Sequence, residues 1–209
     1  EFDDDDDLSI AELVEGDAMR DRLLRGDLTD CDVVEHLGQV AAGLSYFHER
    51  GYVHLDVKPQ NILIGTDRVA RLIDFALARR AERGTLRRWV ARLLRRRRPG
   101  TQSYMAPEQI RRLPITPASD VYSLGVTLFE ALTGRLPYSA ESSEALLRQH
   151  LSARVPQLRE VRPELPLARG ELASAMMAKD PLDRPGSMEY VSGKLRDILR
   201  RMSPCEPNE

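Results

Sequence analysis

Lysine is almost missing from this chain: of its 31 Lys and Arg residues, only Lys58, Lys179 and Lys194 are lysine. Arginine serves wherever a plain positive charge suffices, which marks Lys58 as a place where a compact ammonium is wanted. Cysteine is as scarce, with two residues, Cys31 and Cys205, far apart in the chain. That spacing offers neither a disulfide framework nor a metal-ligand pair, so two incidental thiols in a reducing compartment are expected. No secretory signal opens the sequence. The longest apolar run, residues 121–132, is broken by Ser123, Gly125, Thr127 and Glu130 and is too short to span a bilayer. A cytoplasmic protein is the expectation. The first residue is Glu and not Met, so a piece of a longer translation product is expected. Aromatic residues make up 5% and do not interleave with the basic ones, which argues against nucleic acid as a partner.

What is present is ordinary for a globular protein: 209 residues, 42% hydrophobic and 31% charged, enough for a sizeable core in one or two domains. The net charge of −2 hides an uneven distribution. Residues 3–7 form an unbroken acidic run, whereas 79–98 hold ten arginines. Residues 8–14 alternate well enough for a strand, ended by a turn at Glu15, Gly16 and Asp17. A short helix over 19–25 stops at Gly26. Thr29 then caps a longer one, with Val33, Val34, Leu37, Val40, Ala41, Leu44 and Phe47 on one face, Asp32 completing a capping box and Gly51 closing it. Strands are expected at 62–64 and 69–73 around a turn at 65–68. Leu86, Trp89, Val90, Leu93 and Leu94 recur at helical spacing among the arginines, which predicts a basic amphipathic helix. A nearly all-apolar helix from Asp120 to about Thr133, stopped by Gly134, belongs in the middle of a domain, and amphipathic helices follow at 142–150, 168–178 and 187–201.

Chemistry concentrates in His54-Leu55-Asp56-Val57-Lys58-Pro59-Gln60-Asn61, between the long helix and the strand at 62–64. A carboxylate there can orient a hydroxyl nucleophile, an ammonium can neutralise a moving phosphoryl group, and an amide can hold a metal. The commonest use of Asp and Asn in loops is turn formation and capping, so no single residue decides the matter. The order does: Asp74-Phe75-Ala76 follows at the end of the next strand, then Gly100-Thr101-Gln102-Ser103-Tyr104-Met105-Ala106-Pro107-Glu108, then Asp120, then Arg184 in Asp180-Pro181-Leu182-Asp183-Arg184-Pro185.

This succession resembles the large C-terminal lobe of bacterial-type serine/threonine protein kinases over roughly residues 8–200. The resemblance implies an α+β fold, mainly α-helical, with short β-hairpins at the catalytic cleft. It divides the chain into an acidic connector, strand and hinge remnant (1–16), the C-lobe (17–202, with an activation segment over 74–108 and a basic insert at 79–98) and a polar tail (203–209). It implies ATP and Mg²⁺ as cofactors and a protein with a Ser or Thr acceptor as partner. Asp56 would be the catalytic base, Lys58 would stabilise the transferred charge, and Thr101 would brace both. Asn61 and Asp74 would ligate the metal. The backbone at Glu12 and Val14 would hold adenine, and Leu63 would line the floor of its pocket. Glu108 would pair with Arg184, and Asp120 would hold the catalytic-loop backbone, while His54 and Phe75 pack.

Three departures qualify the resemblance. Leu55 replaces an arginine that receives an activation-loop phosphate in many kinases, although Thr85 could still be phosphorylated and held by its arginines. Ala76 replaces a glycine, so altered switching of Asp74 is expected. No lysine precedes Lys58, and no two of the glycines at 16, 26, 38, 43 and 51 form Gly-x-Gly, so the small lobe that covers the phosphates is missing and is expected in cis. Two other readings stay open: a kinase-like scaffold without catalysis, and a protein that docks to an anionic membrane or acidic partner through 79–98.

Overall fold

A computed structural model describes residues 15–81, 101–165 and 167–202, without the side chains of 101 and 167. The acidic connector, the strand expected at 8–14, most of the basic insert and the tail at 203–209 lie outside the described residues. What is described is a mainly helical α+β fold.

Helix α2 (Asp30–Glu49) organises one side of it. Its capping box forms as the sequence predicts: the Asp32 N–H donates to Thr29 Oγ1 (3.2 Å) and the Thr29 N–H to Asp32 Oδ2 (2.9 Å). Val33, Val34, Leu37, Val40, Ala41 and Leu44 are all buried, each contributing about 1–3 kcal/mol by leaving water. The short α1 (Met19–Arg25) precedes it and ends at Gly26, in the left-handed conformation (φ 75°) that favours glycine. Cys31, in the first turn of α2, is disulfide-bonded, which overturns the expectation of an incidental thiol.

After α2, β2 (Tyr52–Val53) leads into the 54–61 loop, and β3 (Ile62–Gly65) and β4 (Ala70–Leu72) form the expected hairpin. Three strands were not foreseen, β2 among them. Residues 16–18 form β1, antiparallel to β3 with Ala18 opposite Leu63, where the Gly-Asp pair suggests a turn. The cause is close approach: a Cβ on Gly16 would stand 2.3 Å from the Ile64 carbonyl oxygen. Arg79 and Arg80, assigned from sequence to the basic insert, form β5, antiparallel to β2. The Arg80 guanidinium carbon lies over the Tyr52 ring, 5.7 Å from its centroid, a cation–π contact across the strand pair.

Helix α3 (Pro107–Arg111) precedes α4 (Pro117–Thr133), then come α5 (Ser143–Ser152), α6 (Leu158–Val161), α7 (Leu167–Met176) and α8 (Met188–Arg200). α4 is buried almost all round, as expected. Its polar side chains find partners on the backbone: Thr127 Oγ1 donates to Ser123 O (2.9 Å) and Ser123 Oγ to Tyr104 O (2.8 Å). α8 packs along α2, with Ser192 Oγ donating to Gly38 O (3.1 Å). One core joins α2, α4, α7, α8 and the inward residues Ile62 and Ile64 of β3.

Candidate active site

The 54–61 loop is held from below by α4. Asp120, 0% exposed, accepts the His54 N–H on Oδ2 and the Leu55 N–H on Oδ1, both at 2.8 Å, and its Oδ2 lies 2.7 Å from His48 Nε2. One short carboxylate thus satisfies two consecutive buried amides, which the backbone could pair with nothing else at a bend. Leu55 at that bend has φ 68°, which costs a branched residue about 1–2 kcal/mol. Its side chain offsets this by packing with Val53, Leu77 and Ile115, so an apolar contact stands where many kinases place a phosphate-binding arginine. The Leu55 carbonyl accepts a further bond from Gln109 Nε2 (3.4 Å), an anchor the sequence did not announce.

Above that base, three of the expected site residues converge. Lys58 Nζ donates to Asp56 Oδ1 (2.8 Å) and Oδ2 (2.7 Å), and Asn61 Nδ2 donates to the Asp56 carbonyl (2.9 Å) and to Oδ2 (2.8 Å). All three are under a tenth exposed, so the carboxylate is fixed in place and its charge compensated by the ammonium. His54 packs, as expected: its Nδ1 accepts the Asp56 N–H (3.3 Å) and its ring meets Phe75 edge-on at 5.0 Å. Burial holds His54 below its ordinary pKa against the pull of Asp120, Asp56 and Asp74, so it stays neutral.

Asp74 is brought to the same end. The Ile73 N–H donates to the Asn61 carbonyl (2.8 Å), which carries the next residue to the rim of the loop. Asp74 is exposed, sits in the left-handed region (φ 63°) that aspartate tolerates, and accepts the Ala76 N–H on Oδ1 (3.3 Å). Ala76 itself has no positive φ, so alanine fits there without strain. Because Asn61 spends its amide nitrogen on Asp56, its oxygen is left for a cation, and Asp74 offers a second hard oxygen at the rim. One amide and one carboxylate, with phosphate and water oxygens completing the shell, suit Mg²⁺.

The cleft face above is apolar and partly bare. Leu63, between the inward Ile62 and Ile64, points to the opposite side of β3 and is half-buried. Ile73 and Phe75 are 39% and 49% exposed. Thr101 opens the 3-10 turn Thr101–Tyr104, and its side chain, like Glu12 and Val14, lies outside the described residues. Further down, Glu108 and Arg184 form the expected buried pair, at 2.8 and 2.9 Å, with Ser119 Oγ completing the carboxylate at 2.6 Å.

Sequence reasoning missed one chain of polar contacts beside the loop. Arg20 on α1 donates to Glu130 Oε1 on α4 (2.9 Å), and the Tyr104 hydroxyl donates to Glu130 Oε2. A glutamate inside the apolar run 121–132 was the available signal, since a carboxylate there requires a partner.

The arrangement defines a class: residues 2–195 match the protein kinase domain, and the chain belongs to the protein kinase family. Among curated relatives it is similar to serine/threonine-protein kinase PknL of Mycobacterium tuberculosis, 38% identical over 195 residues that make up 93% of this chain and 47% of that protein. It is also similar to PknH of Mycobacterium bovis (39% identical, 84% of this chain and 28% of that protein) and to PknD of Mycobacterium tuberculosis (37%, covering 82% and 25%). The chain therefore spans less than half the length of these relatives.

Proposed function

We propose that this chain is the large lobe of a protein serine/threonine kinase, which transfers the γ-phosphoryl group of ATP to a Ser or Thr hydroxyl of a protein. The observation that carries the reading is the Asp56 carboxylate, fixed by Lys58 at 2.7 and 2.8 Å and by Asn61 at 2.8 Å. Asp56 accepts the acceptor hydroxyl's proton and aims its oxygen. Lys58, already beside that carboxylate, balances the charge of the group in transfer. Asn61 and Asp74 would hold Mg²⁺, which supplies charge neutralisation at the phosphates when bound. Leu63 lines the adenine side, with the backbone at Glu12 and Val14 opposite and Thr101 bracing the loop from the substrate side. The bare Ile73 and Phe75 receive the phosphate-covering lobe in cis, the part of the clamp for which this sequence has no glycine-rich loop or strand lysine.

Magnesium-dependent phosphate transfer from ATP to a Ser/Thr peptide tests the reading. Asp56→Asn is expected to lower the rate about 10²–10⁴-fold, the usual worth of a positioned base, and Asp74→Asn to raise the magnesium requirement. Equal turnover in wild type and both variants would leave the chain as a kinase-like scaffold.

A further inference from the structure

The turn between α7 and α8 presents an apolar side chain to water on a rigid mount. Leu182, in the 3-10 turn Pro181–Asp183, is 91% exposed. Asp180 Oδ1 accepts the Leu182 N–H (2.9 Å), and Arg184, just beyond, is tied into the core by Glu108 and by the Ala178 carbonyl (2.8 Å). The turn is thus held at both ends, so docking of Leu182 would cost little further loss of freedom. Asp180 and Asp183, both exposed, place a carboxylate before and after it in the chain.

Beside this knob lies a hole. α7, α8 and the loop that joins them line a groove of about 510 Å³, to which Leu172, Ala175 and Ile198 give apolar surface. Lys194 and Arg201, two helical turns apart on one face of α8, border it and have no anionic partner among the described residues. The Lys194 ammonium stands over the Tyr190 ring, 5.3 Å from its centroid, which steadies it at the rim. Asp197 is already answered by Arg200 (3.3 Å). Glu171, on the α7 side, repels carboxylates, so an acidic occupant must turn its charge towards α8.

The groove therefore fits an apolar side chain flanked by carboxylates, and the turn at Leu182 is such an element. Its exposure means that Leu182 does not fill the groove of its own chain. Knob and groove adjoin, since Asp183 belongs to both, so a two-fold axis through this patch lets two copies exchange turns.

We propose that this surface joins two copies of the chain in a symmetric dimer, with Leu182 of each copy seated between α7 and α8 of the other and Asp183 facing Lys194 there. The inference stands independently of the kinase reading. Sedimentation velocity of the full chain over about 1–100 μM, the range of a weak specific pair, is expected to show a monomer–dimer equilibrium. Leu182→Asp and Lys194→Glu should each raise the dissociation constant at least about tenfold, because each contact occurs twice in the dimer. The decisive arm mixes Asp183→Lys with Lys194→Glu. Each variant alone sets like charges together twice and is expected to stay monomeric. In the mixture every lysine meets a carboxylate, so a heterodimer is expected, a gain that a misfolded variant could not produce. A wild-type chain that stays monomeric throughout overturns the proposal and leaves the groove to a different partner. A dimer that Leu182→Asp and Lys194→Glu leave intact overturns it by placing the contact elsewhere, as does a mixture that remains monomeric.

Discussion

Asp120 shows how much of a site can hang on one side chain. Its two oxygens take the N–H groups of His54 and Leu55, and both amides are buried. Removing the acceptor would strand both, each at about 1–3 kcal/mol, so Asp120→Ala should lower unfolding free energy by about 2–5 kcal/mol in urea titration. Asp120→Asn keeps one acceptor and should cost less. The role of Asp120 was legible because its place relative to Asp56 and Glu108 matches a family pattern. Arg20 was not, since a contact with a residue 110 positions away leaves no local trace in either neighbourhood. The same holds for His48, whose bond to Asp120 joins two helices that the sequence presents separately.

At the scale of elements, legibility followed length and periodicity. α2 could be read with its caps because twenty residues carry one apolar stripe between Thr29 and Gly51. β2 and β5 could not, because two-residue strands have no period, and only their pairing makes them strands. The crossing of α4 over α7 likewise depends on a contact invisible in sequence. A Cβ on Gly125 would stand 2.7 Å from Met176 Cβ and 3.3 Å from its backbone carbon, positions that cannot swing aside. Alanine there would gain about 1 kcal/mol of helix propensity and lose about 1–3 kcal/mol to overpacking. Gly125→Ala should therefore lower the thermal midpoint. Gly193→Ala on α8, where a Cβ meets nothing within 4 Å, should raise it.

For the whole molecule, three buried histidines in different regions share one electrostatic condition. Burial holds His36, His54 and His150 below the ordinary imidazole value, His150 at about 4 with Lys179 adding to the effect. The fold thus keeps them neutral while the unfolded chain protonates them from about pH 6.5 downward. The unfolded state then binds more protons, so stability is full above about pH 6.5 and falls as pH drops towards 4. His150 alone should account for about 3 kcal/mol of that loss. Urea midpoints recorded across this window should fall with acid, and His150→Gln should flatten part of the slope. The bonds from the catalytic loop to Asp120 add a condition in time. They span 65 and 66 residues of chain, and closing such a loop costs about 4 kcal/mol of entropy before the contact repays it. A chain emerging from the ribosome cannot hold the carboxylate of Asp56 in place until α4 has followed it out. The residues that do the chemistry are thus made early and armed late, so a half-synthesised molecule carries the loop without its geometry.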